Sequence, residues 1–363
     1  VMNILLLALI LVFLIITHEL GHFIAAKLFG VRVDEFGIGY PPRAFLLGKI
    51  GTTEYTLNWI PFGGFVRLYG EDADATGVGS FIRAAKWKQG LILIAGVFMN
   101  ALVAWGLFAA ALHEGLPRVV PDSSAQSNAA YLLVSDVIGA SPASTAGIVP
   151  GDKIIALGDQ NGASLSALSP SSVSNFVKVR GGQKITITLV HNGATSSVSV
   201  TPANAVIPGQ SATPALGISL VEVSNVALPW GESVIDGFSN TIDAFRVVCG
   251  SLWQLLVQAL RGAPNLQDIV GPIGLVSVVG GAAQNGGGEV LAVAAFIAVN
   301  LTIVNLIPIP VLDGGRLAIV IFEALTRRSM PRLAIQIVNT MGIALLIVLV
   351  VTVSYHDIVR QLT

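Results

Sequence analysis

The chain has 363 residues, 53% of them hydrophobic and 11% charged, with a mean hydropathy of +0.76. Ordinary soluble domains carry roughly 25% charged residues, so this composition excludes a soluble globule and predicts an integral membrane protein. A net charge of -1 offers no basic face for nucleic acid, and the lone cysteine, Cys249, rules out both a disulfide framework and a thiolate metal site.

Met2 to Phe29 is the first apolar stretch near the roughly 20 residues that a spanning helix needs. No basic residue precedes it and no small-x-small cleavage site comes before its polar centre, so it is expected to be a retained span rather than a signal peptide. That polar centre is His18-Glu19-Leu20-Gly21-His22. Residues four apart share one helix face, so both imidazoles can reach one metal ion, while Glu19 points aside and can act on a metal-bound water. This is the logic of the HExxH zinc hydrolases. The five residues alone occur by chance, and paired helix histidines are more often solvated. Here the flanks, Leu11 to Ile16 and Phe23 to Ala26, put ionisable groups at membrane depth, where they are costly and usually functional.

Residues 31-88 follow as a cytoplasmic-side β-loop associated with the membrane. Thr52 to Trp59 and Ile60 to Leu68 alternate polar with apolar, aromatic and β-branched residues, which predicts strands, with Pro61 and Gly63-Gly64 at a turn. Glu71 onward reads as a solvated loop. The second span is expected within 89-113. An extracytoplasmic α+β module over 120-205 carries strands at Val134 to Ile138, Lys153 to Leu157, Lys184 to Val190 and Ser196 to Thr201, with a hairpin turn at Asn192-Gly193. Its Ser141 to Ile148 and Pro150-Gly-Asp152 resemble the bacterial PDZ domain, whose members bind extended peptides by strand addition. No peptide-pocket residues are assigned within it.

Residues 206-288 read as one further strand, Leu216 to Val223, then a pair of amphipathic helices on the membrane surface over Glu232 to Leu260. A third span lies within 289-315 and a fourth within 333-355. The expected fold is therefore a polytopic α-helical membrane protein of four spans, with a membrane-associated β-hairpin loop and an inserted extracytoplasmic PDZ-like domain. Basic residues crowd Lys27 to Lys88 and Arg316 to Arg332, whereas acidic residues outnumber basic ones from His113 to Gly288. By the positive-inside rule the first two segments are cytoplasmic and the module is outside.

Two histidines leave a zinc site short of a ligand. Among His113, Glu114, Glu289, Asp313 and His356, only Asp313 ends a span on the same side as His18 and His22. Its setting is Asn305-Leu-Ile-Pro308-Ile-Pro310-Val-Leu-Asp313-Gly314-Gly315. Pro308 and Pro310 remove two backbone donors and break the helix at membrane depth, which is tolerated only in protein or beside a wet cavity.

Together, His18-Glu-Leu-Gly-His22, Ile60-Pro-Phe-Gly-Gly-Phe65, Ser80-Phe81, Gly271-Pro-Ile-Gly274 and Asn305 to Gly315 resemble the site-2 protease family of intramembrane zinc metalloproteases. The bacterial regulator-of-sigma-E branch is most similar, here with a single PDZ-like domain. The second span reads Ala95-Gly96-Val97-Phe98-Met99-Asn100, lacking the Gly-Pro that relatives often carry before the matched asparagine. The resemblance implies one Zn²⁺ ion held by His18, His22 and Asp313, with Glu19 as catalytic acid/base. It also implies substrate positioning by Asn305, with Pro308 and Pro310 beside it, and by Gly63, Gly64 and Phe65 in the β-loop.

The implied activity is endopeptidase cleavage of single-pass membrane proteins, such as anti-sigma factors or signal-peptide remnants, in the lipid bilayer of the bacterial inner membrane. The active site would face the cytoplasm. A transporter would show a second broken segment matching 305-315, and none is present. A non-catalytic metal-binding sensor or a PDZ scaffold remains the alternative; the scaffold leaves Glu19 without a purpose.

Overall fold

The computed structural model describes all residues except 72–76, 120–129, 166–167, 192–193, 207–212, 263–270, 329 and 363. The predicted turn at Asn192-Gly193 and most of the predicted loop after Glu71 lie outside the described residues. The chain divides into a unit formed by Val1–Glu114 with Pro229–Thr363, and a second unit, Gly115–Leu228.

In the first unit, α1 (Met2–Leu28) is followed by two long strands, β1 (Val33–Ile50) and β2 (Thr53–Leu68), and then by α2 (Lys86–Glu114). Later in the chain come α5 (Trp230–Leu260), α6 (Pro272–Asn285), α7 (Gly287–Leu306), α8 (Asp313–Thr326) and α9 (Arg332–Leu362). Among the described residues three helices, α1, α2 and α7, are long and apolar enough to cross a membrane. The fourth expected span falls inside α9, where the qualifying apolar stretch is the shorter Leu333–Ala344.

Helix α2 is the hub, touching α1, α5, α7 and α8. Apolar side chains gain little by leaving lipid for protein, so such helices associate where small residues let backbones approach. Gly21 of α1 faces the Ala95 backbone of α2, and Gly237 of α5 faces Ala109 of α2. Ala104, Ala294, Ala295 and Ala298 line the shared core with Leu14 and Val299.

The surface helix pair expected over Glu232 to Leu260 is instead one helix of 31 residues. Its Trp230 stacks on His113, and the Trp105 indole donates to the Val234 carbonyl, so α5 starts at the end of α2 and runs back along it. Ala244 and Val248 are buried in the same core as Leu7 and Phe108, which explains why one mixed face of this helix is apolar. At the far end, the buried Asp357 of α9 accepts from the backbone N–H groups of Gly271 and Gly274, capping the start of α6.

The β-loop is larger than the predicted hairpin, because β1 was not legible as a strand. Residues 35–38 of β1 pair with 64–67 of β2 and again with 54–57 of β2, while 54–57 also pair with 45–49. A strand has one neighbour on each side, so the lateral order is 64–67, 35–38, 54–57, 45–49. The segment Gly64 to Leu68 is therefore an edge. Glu35, buried between the sheet halves, is held by Arg43, Arg67 and the Thr56 hydroxyl.

The second unit is a six-stranded antiparallel sheet in the order β3 (Leu116–Val119), β8 (Ile218–Val226), β4 (Ala130–Val137), β5 (Lys153–Asp159), β6 (Ile185–His191), β7 (Ala194–Val200). Short helices α3 (Pro142–Thr145) and α4 (Pro170–Lys178) accompany it. Ser169 and Ser172 form a capping box that starts α4. Val173, Phe176 and Val177 of α4 then bury against Leu132, Ile154, Ile185 and Ile187. β3 and β8 belong to this sheet, so the unit runs from Gly115 to Leu228 and is longer at both ends than the expected 120-205.

Candidate metal centre

The His18 and His22 side chains leave α1 on one face, their rings edge to face with centroids 4.7 Å apart. Their Nε2 atoms lie 3.1 Å from each other. Asp313 opens α8, and its Oδ2 is 2.9 Å from His18 Nε2 and 3.3 Å from His22 Nε2. That oxygen is buried and has no partner beyond these two ring nitrogens. Three ligand atoms converging on one point, one of them a buried carboxylate oxygen with no hydrogen-bond partner beyond those two ring nitrogens, are what a divalent cation requires. Of the described residues, these three alone form such a cluster of His, Cys, Asp or Glu. The donor set fits zinc.

The chain delivers Asp313 to this point through its two glycines. A Cβ at Gly314 would overlap the Leu306 and Ile307 carbonyls, and one at Gly315 the Ile309 carbonyl. Only glycine lets the first turn of α8 fold back onto the broken end of α7. Val311, a β-branched residue, is held there at φ 83, a strained conformation that the surrounding backbone must enforce.

Helix α2 backs both imidazoles. His22 Nδ1 donates to the Ile92 carbonyl at 2.8 Å, and one turn later Gly96 leaves the space in which both rings sit. Another turn on, the buried Asn100 faces His18 Nδ1 at 3.3 Å. Nothing local in the sequence marks Ile92 or Gly96 for this work. Asn100 carried a signal only as a matched family position.

Glu19 lines a cavity of about 410 Å³ with His22, Asp313, Gly64, Phe65 and Val66. Gly64 of the β2 edge approaches the Glu19 side chain, where an added Cβ would lie 3.6 Å from its Cγ. An ion pair of Arg316 with Glu71 forms part of the same wall. The predicted Gly63 turns at φ 109 against the Tyr40 ring. The other predicted residues are not among those lining this cavity: Asn305 is half-buried in the last turn of α7, Pro308 is exposed and Pro310 half-buried. The hydrogen bonds of the described residues include none from Asn305 to the cluster.

A buried two-histidine, one-carboxylate centre with a glutamate on an adjoining cavity, set among apolar helices, defines a membrane metallohydrolase. The model of peptidase family M50 matches residues 6–349. A Clostridium perfringens protein is 33% identical over 95% of this chain and 95% of its own length, and a Clostridium acetobutylicum protein is 30% identical over 95% and 94%. Both are named as zinc metalloproteases. A solved PDZ domain of an SdrC-like protein from Listeria monocytogenes is 18% identical, covers 28% of this chain and 92% of its own, and has a TM-score of 0.21. The chain belongs to peptidase family M50, the site-2 proteases: it is a membrane-bound metallopeptidase, and zinc is its metal.

Proposed function

We propose that the protein is an intramembrane endopeptidase that cuts single-span membrane proteins, or membrane-retained remnants such as those of anti-sigma factors and signal peptides, within or near the bilayer of the bacterial inner membrane. The observation that carries this reading is the β2 edge lying beside Glu19 in a cavity that Asp313 and His22 also line.

His18, His22 and Asp313 would hold one zinc ion, with Glu19 as the acid/base. When bound, zinc acidifies its water and polarises the scissile carbonyl. Glu19 would accept a proton at its carboxylate from the attacking water and deliver it to the departing nitrogen. A helical substrate has its carbonyls tied within the helix and must unwind first. Gly64 to Leu68 offers an open strand edge that replaces those lost bonds by strand addition, with Gly63, Gly64 and Phe65 setting its path. Asn305, Pro308 and Pro310 line the approach from the broken end of α7.

Four spans with the metal centre toward the cytoplasm complete the arrangement, and the PDZ-like unit lies outside the membrane. There it excludes substrates with bulky external domains, so cutting follows prior trimming.

The test is reconstitution in liposomes with a single-span substrate, comparing the native chain, Glu19→Gln and chelator treatment. Native cleavage that both treatments abolish is expected. Full cleavage by Glu19→Gln would discard the chemistry, and no cleavage by the native chain would favour a sensor or scaffold.

A further inference from the structure

Each imidazole of the centre can ligate through Nε2 only if its proton sits on Nδ1. For His22 this is settled by geometry: Nδ1 lies 2.8 Å from the Ile92 carbonyl, which can only accept. His18 Nδ1 has no backbone carbonyl in that role. It faces the side-chain amide of Asn100 at 3.3 Å, two turns beyond Ile92 on the same face of α2.

Asn100 is 1% exposed, and its Oδ1 is buried with no hydrogen-bond partner. With Nδ2 toward His18 the amide donates to Nδ1, which puts the ring proton on Nε2 and aims it at Asp313. That tautomer cannot ligate through Nε2. Turning the amide end for end presents Oδ1 to His18 Nδ1, gives the orphaned oxygen a donor and leaves the Nε2 lone pair free.

We propose that Asn100 is the positioning residue for His18: its Oδ1 accepts the Nδ1 proton and holds the ring in the metal-binding tautomer, as the Ile92 carbonyl does for His22. The proposal rests on the metal reading of His18, His22 and Asp313. An amide suits this place for two reasons. It is neutral, so it adds no charge among apolar helices, and it carries donor and acceptor on one rotatable group. Asn100 therefore satisfies His18 in both states, accepting when the metal is held and donating when Nε2 is protonated against Asp313. The Ile92 carbonyl has no second mode, so His22 is fixed and His18 is the ligand whose tautomer follows metal loading.

The test measures zinc affinity of the purified full-length protein by competition with a chromophoric chelator, for the native chain, Asn100→Ala, Asn100→Asp, His18→Ala and His18→Ala/Asn100→Ala. Removing such an outer hydrogen-bond partner weakens metal binding by roughly 10–100-fold, and that loss is expected for Asn100→Ala. Asn100→Asp keeps an oxygen acceptor and is expected to restore native affinity. In the His18→Ala background the Asn100→Ala change should add nothing. Native affinity in Asn100→Ala, no rescue by Asn100→Asp, or a full additional loss beside His18→Ala would each overturn the proposal while leaving the metal centre intact. A native chain that binds no zinc would remove the metal reading itself, and this inference with it.

Discussion

Gly96 of α2 lies directly beneath the imidazole of His22, so close that a Cβ there would overlap Nε2 and Cε1 of the ring and crowd Cε1 of His18. The metal centre is thus built against bare backbone. Gly96→Ala must either part α1 from α2 or rotate both rings. Overpacking of this kind costs about 1–3 kcal/mol, and here the cost falls on the ligands. We expect zinc affinity to drop by roughly tenfold or more, on the scale of losing a ligand's support, read by chelator competition. Unchanged affinity would show that the rings have other room.

Glu19 lies outside the His18, His22 and Asp313 cluster, so its charge is expected to be dispensable for holding the metal. Glu19→Gln keeps shape and removes the proposed base. Zinc stoichiometry should stay native while proteolysis of a reconstituted single-span substrate falls by roughly 10²–10⁴-fold, the range of a general acid–base contribution. Asp313→Asn should do the reverse, losing zinc first and activity as a consequence.

Gly63 turns at φ 109, where a side chain is strained, and faces the Tyr40 ring closely enough that a Cβ would collide with it. Gly63→Val should displace the edge strand that begins at Gly64. Cleavage is expected to fall severalfold with zinc content unchanged, a split that separates the strand from the metal. Equal cleavage would remove the strand-addition role.

In the β-rich unit, Arg180 Nε donates to Asp159 Oδ2 at 2.8 Å, and this hydrogen bond holds the Asp159 carboxyl below its ordinary range. A depressed folded-state value stabilises above the unfolded carboxylate pKa of about 3.9 and is lost as pH falls through the folded value. Amide protection across β5 and α4, taken relative to the intrinsic exchange rate at each pH, should therefore fall on acidification below about pH 4. Arg180→Ala should erase much of that pH dependence. A profile identical in both proteins would assign the acid sensitivity elsewhere.

Local rules made part of this protein legible from its residues. The four-residue spacing of His18 and His22 determines a shared face, since a helix repeats every 3.6 residues, and span polarity left Asp313 as the carboxylate at matching depth. Those three side chains do meet. The apolar length of α1, α2 and α7 was equally local. What tertiary structure decided is whatever two distant segments share. The helix expected as a pair is one continuous α5, whose Ala244 and Val248 pack into the core shared with α2 while Ile235, Phe238 and Trp253 stay exposed. β1 escaped notice because residues 35–38 are central only through partners some twenty and thirty positions on. The support behind the imidazoles, Ile92, Gly96 and Asn100, has no pattern of its own. Their meaning comes from how closely α2 approaches α1, a distance set by two glycines on different helices and invisible until both are placed.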